Sequence, residues 1–164
     1  MSEGEPARAA YALRKLILKL QDTFNALEEA RFPVIAAVHG ACLGAGIDMI
    51  SACDIRLAST DAYFGIEEIH IGMAADVGTL QRLPKLMAPG IVKELTYTGR
   101  RFSPQEALAW GFVNSIHADQ SAVLEAATDL AKQIAAKSPI AIAGAKRSLD
   151  YARDHSVADS LDQI

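Results

Sequence analysis

Apolar residues recur at three- and four-residue steps near the start of the chain. Leu13, Leu16, Ile17, Leu20, Phe24 and Leu27 fall on one face of a helix predicted over 7–30. Pro33 breaks that pattern, and the short apolar run 34–38 reads as a strand buried on both faces. A glycine-rich turn (Gly40, Gly44, Gly46) then feeds an apolar segment, 47–52, that reads as helical. Two short strands are expected at 54–58 and 62–65, a loop at 72–78, and helices at 79–87 and 91–98 separated by Pro89 and Gly90. Ser103-Pro-Gln-Glu106 has the form of a helix start, with serine at the cap, proline next and glutamate three residues on. That helix ends at Gly111; a strand follows at 112–116, then helices over 121–137 and 139–153, and a last one over 156–164. Strands alternating with helices imply parallel pairing through right-handed crossovers, so the fold class is α/β with a helix-rich second half.

Composition narrows the function classes. A chain of 164 residues that is 51% hydrophobic and 22% charged has the make-up of one globular domain. Its net charge of −4 lacks the basic stripe of a nucleic-acid binder, and no apolar run approaches the ~20 residues of a membrane helix. Cys42 and Cys53 are too few for a disulfide framework or a four-ligand zinc site and read as buried thiols in a reducing compartment. Residues 1–6 are acidic and polar with no secretory signal, and no peroxisomal C-terminal tripeptide is present. The chain opens without a strand and stops inside an expected helix, which reads as a piece of a longer protein.

The first chemical candidate is the glycine turn. A strand passing through glycines into a helix start presents free backbone N–H groups. The spacing of Gly40, Gly44 and Gly46 fits neither the dinucleotide fingerprint nor the P-loop. What remains is either a donor for a small anion, such as a carbonyl oxygen turning into an oxyanion, or a tight turn whose glycines only permit close packing. Asp48, among apolar neighbours, either complements a helix dipole or is a desolvated carboxyl group suited to proton transfer. Glu67 and Glu68 follow a strand, where α/β folds often bind; Asp76 either caps the next helix or joins them. Convergence of Asp48, Glu68 and Asp76 would raise at least one pKa and let one site hold an acid and a base together. His39 reads as a strand-end histidine with a satisfied ring, His70 lies between two isoleucines, and His117 and His155 read as surface or helix-end residues. No pair has metal-site spacing, and no serine sits in a nucleophile elbow.

These residues resemble a known family. Pro-Val-Ile-Ala-Ala-Val-His-Gly at 33–40, Gly44-Ala-Gly-Ile-Asp48 and Ala52-Cys-Asp-Ile-Arg56 are similar to the enoyl-CoA hydratase/isomerase (crotonase) family. Phe64-Gly65, Glu68, Gln81-Arg82-Leu83, Tyr97-Thr-Gly-Arg and Ala107-Leu-Ala-Trp-Gly-Phe-Val continue the match over nearly the whole chain. Within the family the chain most resembles the Δ3,5-Δ2,4-dienoyl-CoA isomerases. They carry aspartate where hydratases have the first catalytic glutamate, keep the second glutamate, and add a third acid; Asp48, Glu68 and Asp76 match these in turn. Ala75-Asp-Val-Gly-Thr-Leu-Gln-Arg-Leu-Pro-Lys85 and Arg153-Asp-His-Ser-Val-Ala158 also look like this subgroup.

The resemblance implies a crotonase-like fold of repeated ββα units, with parallel strands and a helical C-terminal half. Here it would be a single partial domain, 1–164, lacking the N-terminal strands and the last helices. It implies an oxyanion hole in which one donor is the N–H of Ala45, where many members have glycine, beside Gly44. It also implies an acyl-CoA thioester substrate and no cofactor or metal, CoA being part of the substrate. Nucleic acid and membrane are not expected partners. A homotrimer or hexamer is implied for the full-length protein, in a mitochondrion, a peroxisome-type organelle or the bacterial cytoplasm. Proton transfer between C2 and C6 of a 3,5-dienoyl-CoA is the expected reaction, with Asp76 as base, Glu68 as acid and Asp48 tuning Glu68. A hydratase is a weaker expectation, given Asp48 and Asp76; a non-catalytic acyl-CoA-binding or assembly paralogue is the reading from another class.

Overall fold

The computed structural model describes residues 5–163. Part of the polar start at 1–6, and the end of the helix expected over 156–164, therefore lie outside the described residues. Within them the chain forms eight α-helices, five strands and one 3-10 turn.

Helix α1 (Pro6–Glu28) starts with proline in its first turn, where the missing N–H costs nothing. Its apolar stripe is less buried than the periodicity predicts. Leu13, Leu16 and Leu20 stay 54%, 54% and 41% exposed, while Ile17, Phe24 and Leu27 are half-buried. Only the C-terminal half of the helix lies against other described residues. There Gln21, Asn25 and Glu28 make polar contacts across the fold.

The chain then runs through two strand–strand–helix units. Strand β1 (Ile35–Val38) leads to β2 (Ala41–Leu43) and α2 (Ala45–Ser51). Strand β3 (Ile55–Ser59) leads to β4 (Tyr63–Gly65), a 3-10 turn (Glu68–Ile71) and α3 (Thr79–Leu86). Helices α4 (Pro89–Thr98) and α5 (Pro104–Ala109) precede β5 (Ser115–His117). Helices α6 (Gln120–Ala135), α7 (Pro139–Ala152) and α8 (Val157–Leu161) complete the order.

All pairing between these strands is parallel. β1, β3 and β5 form one sheet in that order, with Ala37 opposite Leu57 and Leu57 opposite Ser115; β2 and β4 form a second sheet. Because β1 stands at an edge, Ile35–Ala37 are half-buried and only Val38 is buried, not both faces of the strand as expected. One face of the larger sheet packs on Val123 and Ala127 of α6. The other faces the main core, where Phe64 stacks on Phe102 at 5.2 Å and meets Phe112 edge-on at 5.7 Å. Each such buried ring contributes about 1.5–3 kcal/mol. Of the boundaries that differ from expectation, two do so for clear local reasons. Pro89 begins α4 instead of only separating helices, and β2 occupies the stretch between Gly40 and Gly44 that reads as turn.

Candidate active site

The site is assembled where the two strand–strand–helix units meet. Gly44 follows β2 as the N-cap of α2 at φ +50°, a conformation that favours glycine. Its N–H donates to the Gly65 carbonyl at 2.9 Å and ties the ends of β2 and β4 together. That N–H is therefore committed within the fold. Gly44 also leaves space: a Cβ there would stand 3.2 Å from Oε1 of Glu68. Ala45 opens α2, so its N–H is among the four that a helix leaves without an intrahelical acceptor.

Asp48 lies one turn further along α2 and is 1% exposed. Its Oδ1 accepts the backbone N–H of Thr79 and the Thr79 hydroxyl, each at 2.7 Å. Asp48 therefore complements the start of α3 rather than of its own helix. Asp76 does not act as that cap. The N-cap position is Gly78, with no side-chain cap bond, and the need is met from α2.

Glu68 opens the 3-10 turn with its carboxyl group against Gly44. Its Oε2 is buried with no hydrogen-bond partner among the described residues. Burial raises the Glu68 pKa, opposed by a hydrogen bond from its own backbone; the charges of Asp48, Asp76 and Glu67 raise it further. The crowding expected of the three acids thus falls on Glu68. Asp76 is half-buried in the loop before α3, where the Gln21 side chain donates to its carbonyl at 2.6 Å. Glu67 turns away, pairing with Arg101 at 2.6 Å.

Other candidates are placed elsewhere. His39 stands at the end of β1 as expected and is exposed there, where the strand ends at the sheet's edge. His70 approaches the Gly99 carbonyl at 3.0 Å and so anchors the turn that carries Glu68 to the end of α4. His117 lies half-buried on β5 with Nε2 2.8 Å from the Ser115 hydroxyl, and His155 is exposed against Tyr151. Cys42 and Cys53 are free and buried; burial pushes the Cys42 thiol up to about 12. Among the described residues no group of three or more His, Cys, Asp or Glu is placed to hold a metal, and no helix is long and apolar enough to cross a membrane.

Thr79 and Gln21 are the site's neighbours that sequence reasoning missed. The only available signal was the position of Thr79 at a helix start, which pointed to the cap and not to the acid that it holds.

Comparison with known proteins places this geometry. The profile of the Enoyl-CoA hydratase/isomerase family matches residues 5–163. The chain belongs to the enoyl-CoA hydratase/isomerase family. It is 51% identical over 164 residues to the mitochondrial Delta(3,5)-Delta(2,4)-dienoyl-CoA isomerase of Mus musculus, covering 99% of this chain and 50% of that protein. Against the peroxisomal protein of the same name from Arabidopsis thaliana, identity is 42%, over 99% of this chain and 59% of the relative. The crystal structure of an enoyl-CoA hydratase from Bacillus anthracis superposes with a TM-score of 0.88 at 34% identity, over 93% of this chain and 58% of that one. The crotonase-like α/β fold expected from the motifs is therefore present. The chain spans about half the length of the mouse relative it matches.

Proposed function

We propose that the protein carrying this chain isomerises a 3,5-dienoyl-CoA to the 2,4-dienoyl-CoA in the β-oxidation of unsaturated fatty acids. The observation that carries this reading is Glu68: a buried carboxyl group with an unpartnered oxygen, its pKa raised by burial and by two aspartates, beside the start of α2. A carboxyl group whose protonated form is favoured, beside other carboxyl groups, lets one site supply both an acid and a base.

The thioester carbonyl would lie against the Ala45 N–H, which stabilises negative charge on its oxygen as C2 is deprotonated. Asp76 takes the C2 proton. The electron pair forms C2=C3, C3=C4 shifts to C4=C5, and the C5=C6 pair takes a proton at C6 from Glu68. Asp76 then holds a proton and Glu68 a charge, so one proton returns through solvent before the next turnover. Asp48 tunes Glu68 and does not itself exchange a proton with substrate. Gly44 serves by leaving room for the Glu68 carboxyl group. The substrate is an acyl-CoA thioester, no cofactor takes part, and the full-length protein is a homotrimer or hexamer. Its compartment is a mitochondrion, a peroxisome-type organelle or the bacterial cytoplasm.

The test is an ultraviolet assay of the full-length protein with a 3,5-dienoyl-CoA, with hydration of a 2-enoyl-CoA run beside it. New absorbance from a diene conjugated with the thioester, and little hydration, is the expected result. Asp76→Asn should lower that rate by ~10²–10⁴. Hydration without diene migration overturns the assignment. Binding of the CoA ester without turnover of either substrate favours a non-catalytic paralogue.

A further inference from the structure

We propose that Thr79 is a positioning residue for this reaction: its hydroxyl and backbone N–H together hold Asp48 in the orientation from which it acts on Glu68. The inference rests on the isomerase reading above.

Two donors from one residue converge on one oxygen. The Thr79 N–H and Oγ1 each lie 2.7 Å from Oδ1 of Asp48. Thr79 is 0% and Asp48 1% exposed, so water does not compete for these bonds. Capping α3 needs only one acceptor for its first free N–H, and the backbone bond supplies it. The hydroxyl adds something that a cap does not need. One hydrogen bond leaves a carboxyl group free to swing about Cβ–Cγ, whereas a second donor at a fixed angle to the first restrains its plane. With Oδ1 committed to two donors, Oδ2 is left as the oxygen available to its surroundings.

The joint also connects two acids. Asp48 sits on α2, while Thr79 follows Asp76 by three residues in the same loop-to-helix passage. The Thr79 bonds therefore tie the helix bearing Asp48 to the segment bearing Asp76. The other side of that segment is held by Gln21, which donates to the Asp76 carbonyl at 2.6 Å. The charges of both aspartates act on Glu68. Small displacements of positioned groups cost up to ~10²-fold in rate, which sets the size of effect expected from loosening this joint.

The experiment compares Thr79→Val, which keeps shape and backbone N–H but removes the hydroxyl, with Thr79→Ser, which restores it. Both are made in the full-length protein, with steady-state kinetics on the 3,5-dienoyl-CoA and a thermal melt. The expected result is that Thr79→Val lowers kcat about 10- to 100-fold with KM within about two-fold, and that Thr79→Ser recovers most of kcat whatever its Tm. If valine prevents folding, Thr79→Cys replaces it, being close to serine in shape but a weak donor. Unchanged kcat with a lowered Tm overturns the proposal and leaves Thr79 a helix cap. Equal loss of kcat in the serine variant, or a change in KM alone, also overturns it. Wild-type protein that hydrates a 2-enoyl-CoA but does not isomerise the diene overturns the functional reading, and the same variants then test Thr79 through the hydration kcat. Turnover of neither substrate overturns both.

Discussion

At the scale of single residues, Glu68 carries the clearest physical signature. Burial, then the charges of Asp48, Asp76 and Glu67, raise its pKa above the ordinary carboxylate value of about 4.3. In the unfolded chain those influences are gone. Between the ordinary value and the raised one, the folded protein therefore binds more protons than the unfolded chain, and stability falls as pH rises through that window. Glutamine at this position cannot ionise. Glu68→Gln should thus be more stable than wild type near neutral pH, and the gain should shrink as pH drops toward about 4. Thermal melts of both proteins across pH 4 to 8 check this; a gain that does not depend on pH would sink it. Isomerase turnover should fall by ~10²–10⁴ in the same variant, because the proposed donor at C6 is lost. Lost activity alongside raised stability separates a functional carboxyl group from a structural one.

Among the elements, α3 shows how the site is held from behind. Its N-cap, Gly78, sits at φ +135°, and a Cβ there would stand 1.9 Å from Nη1 of Arg82. That guanidinium donates to Glu28 at 2.9 Å and to Asn25 at 2.6 Å, fastening α3 to the end of α1. Burial works against the charge on Glu28, yet its bonds to Arg82 and Arg153 hold it below the usual carboxylate range. Gly78→Ala should therefore cost about 1–3 kcal/mol for backbone strain, and also displace Arg82 from α1. Combining it with Arg82→Ala should cost less than the two single losses together, because the second change removes the atom the methyl group meets. Urea unfolding of the three variants reads this out; strict additivity would argue against the clash. How much the sequence disclosed follows the same local logic. The Ser103–Glu106 capping box is present as read, because all its partners lie within one turn. The α/β alternation was also legible, and the sequence singled out Asp48, Glu68 and Asp76, whose charges act on one another at Glu68. The partner of Asp48 was not, since Thr79 is 31 positions away and only the meeting of two helices reveals the bond. Strand β2 was hidden for another reason: three residues between glycines carry no periodicity, and their strand character comes from pairing with β4.

Across the whole molecule, helix α7 is tied to distant parts of the fold through a buried charge. Helix α7 leaves Ile140 and Leu149 84% and 73% exposed, yet it buries Lys146. The Lys146 ammonium donates to Oδ2 of Asp54 at 2.8 Å, joining residues 92 positions apart, and to the Leu27 and Phe32 carbonyls at 3.3 Å. The same Asp54 oxygen accepts the Val34 N–H at 2.7 Å, just before β1. Asp54 and Lys146 together thus gather the exit of α1, the entry to the larger sheet and the middle of α7. Arg56, two residues on, is also buried and is spent on the carbonyls of Ile50, Cys53 and Phe112. The Asp-Ile-Arg part of the sequence motif is therefore a joint of the fold, not part of the chemistry. Removing one member of a fully buried ion pair costs 3–5 kcal/mol. The Asp54 side chain is 22% exposed, so solvent takes up part of that loss, and Lys146→Met should cost about 2–3 kcal/mol. Asp54→Asn combined with Lys146→Met should cost less than Lys146→Met alone, because no unpaired charge is left while an amide oxygen still receives the Val34 N–H. Urea unfolding of the single and double variants measures both quantities. A double variant no more stable than the single would mean that the lysine contributes through its two carbonyl bonds, and that α7 is tied chiefly to the backbone between α1 and β1 instead of to the Asp54 charge.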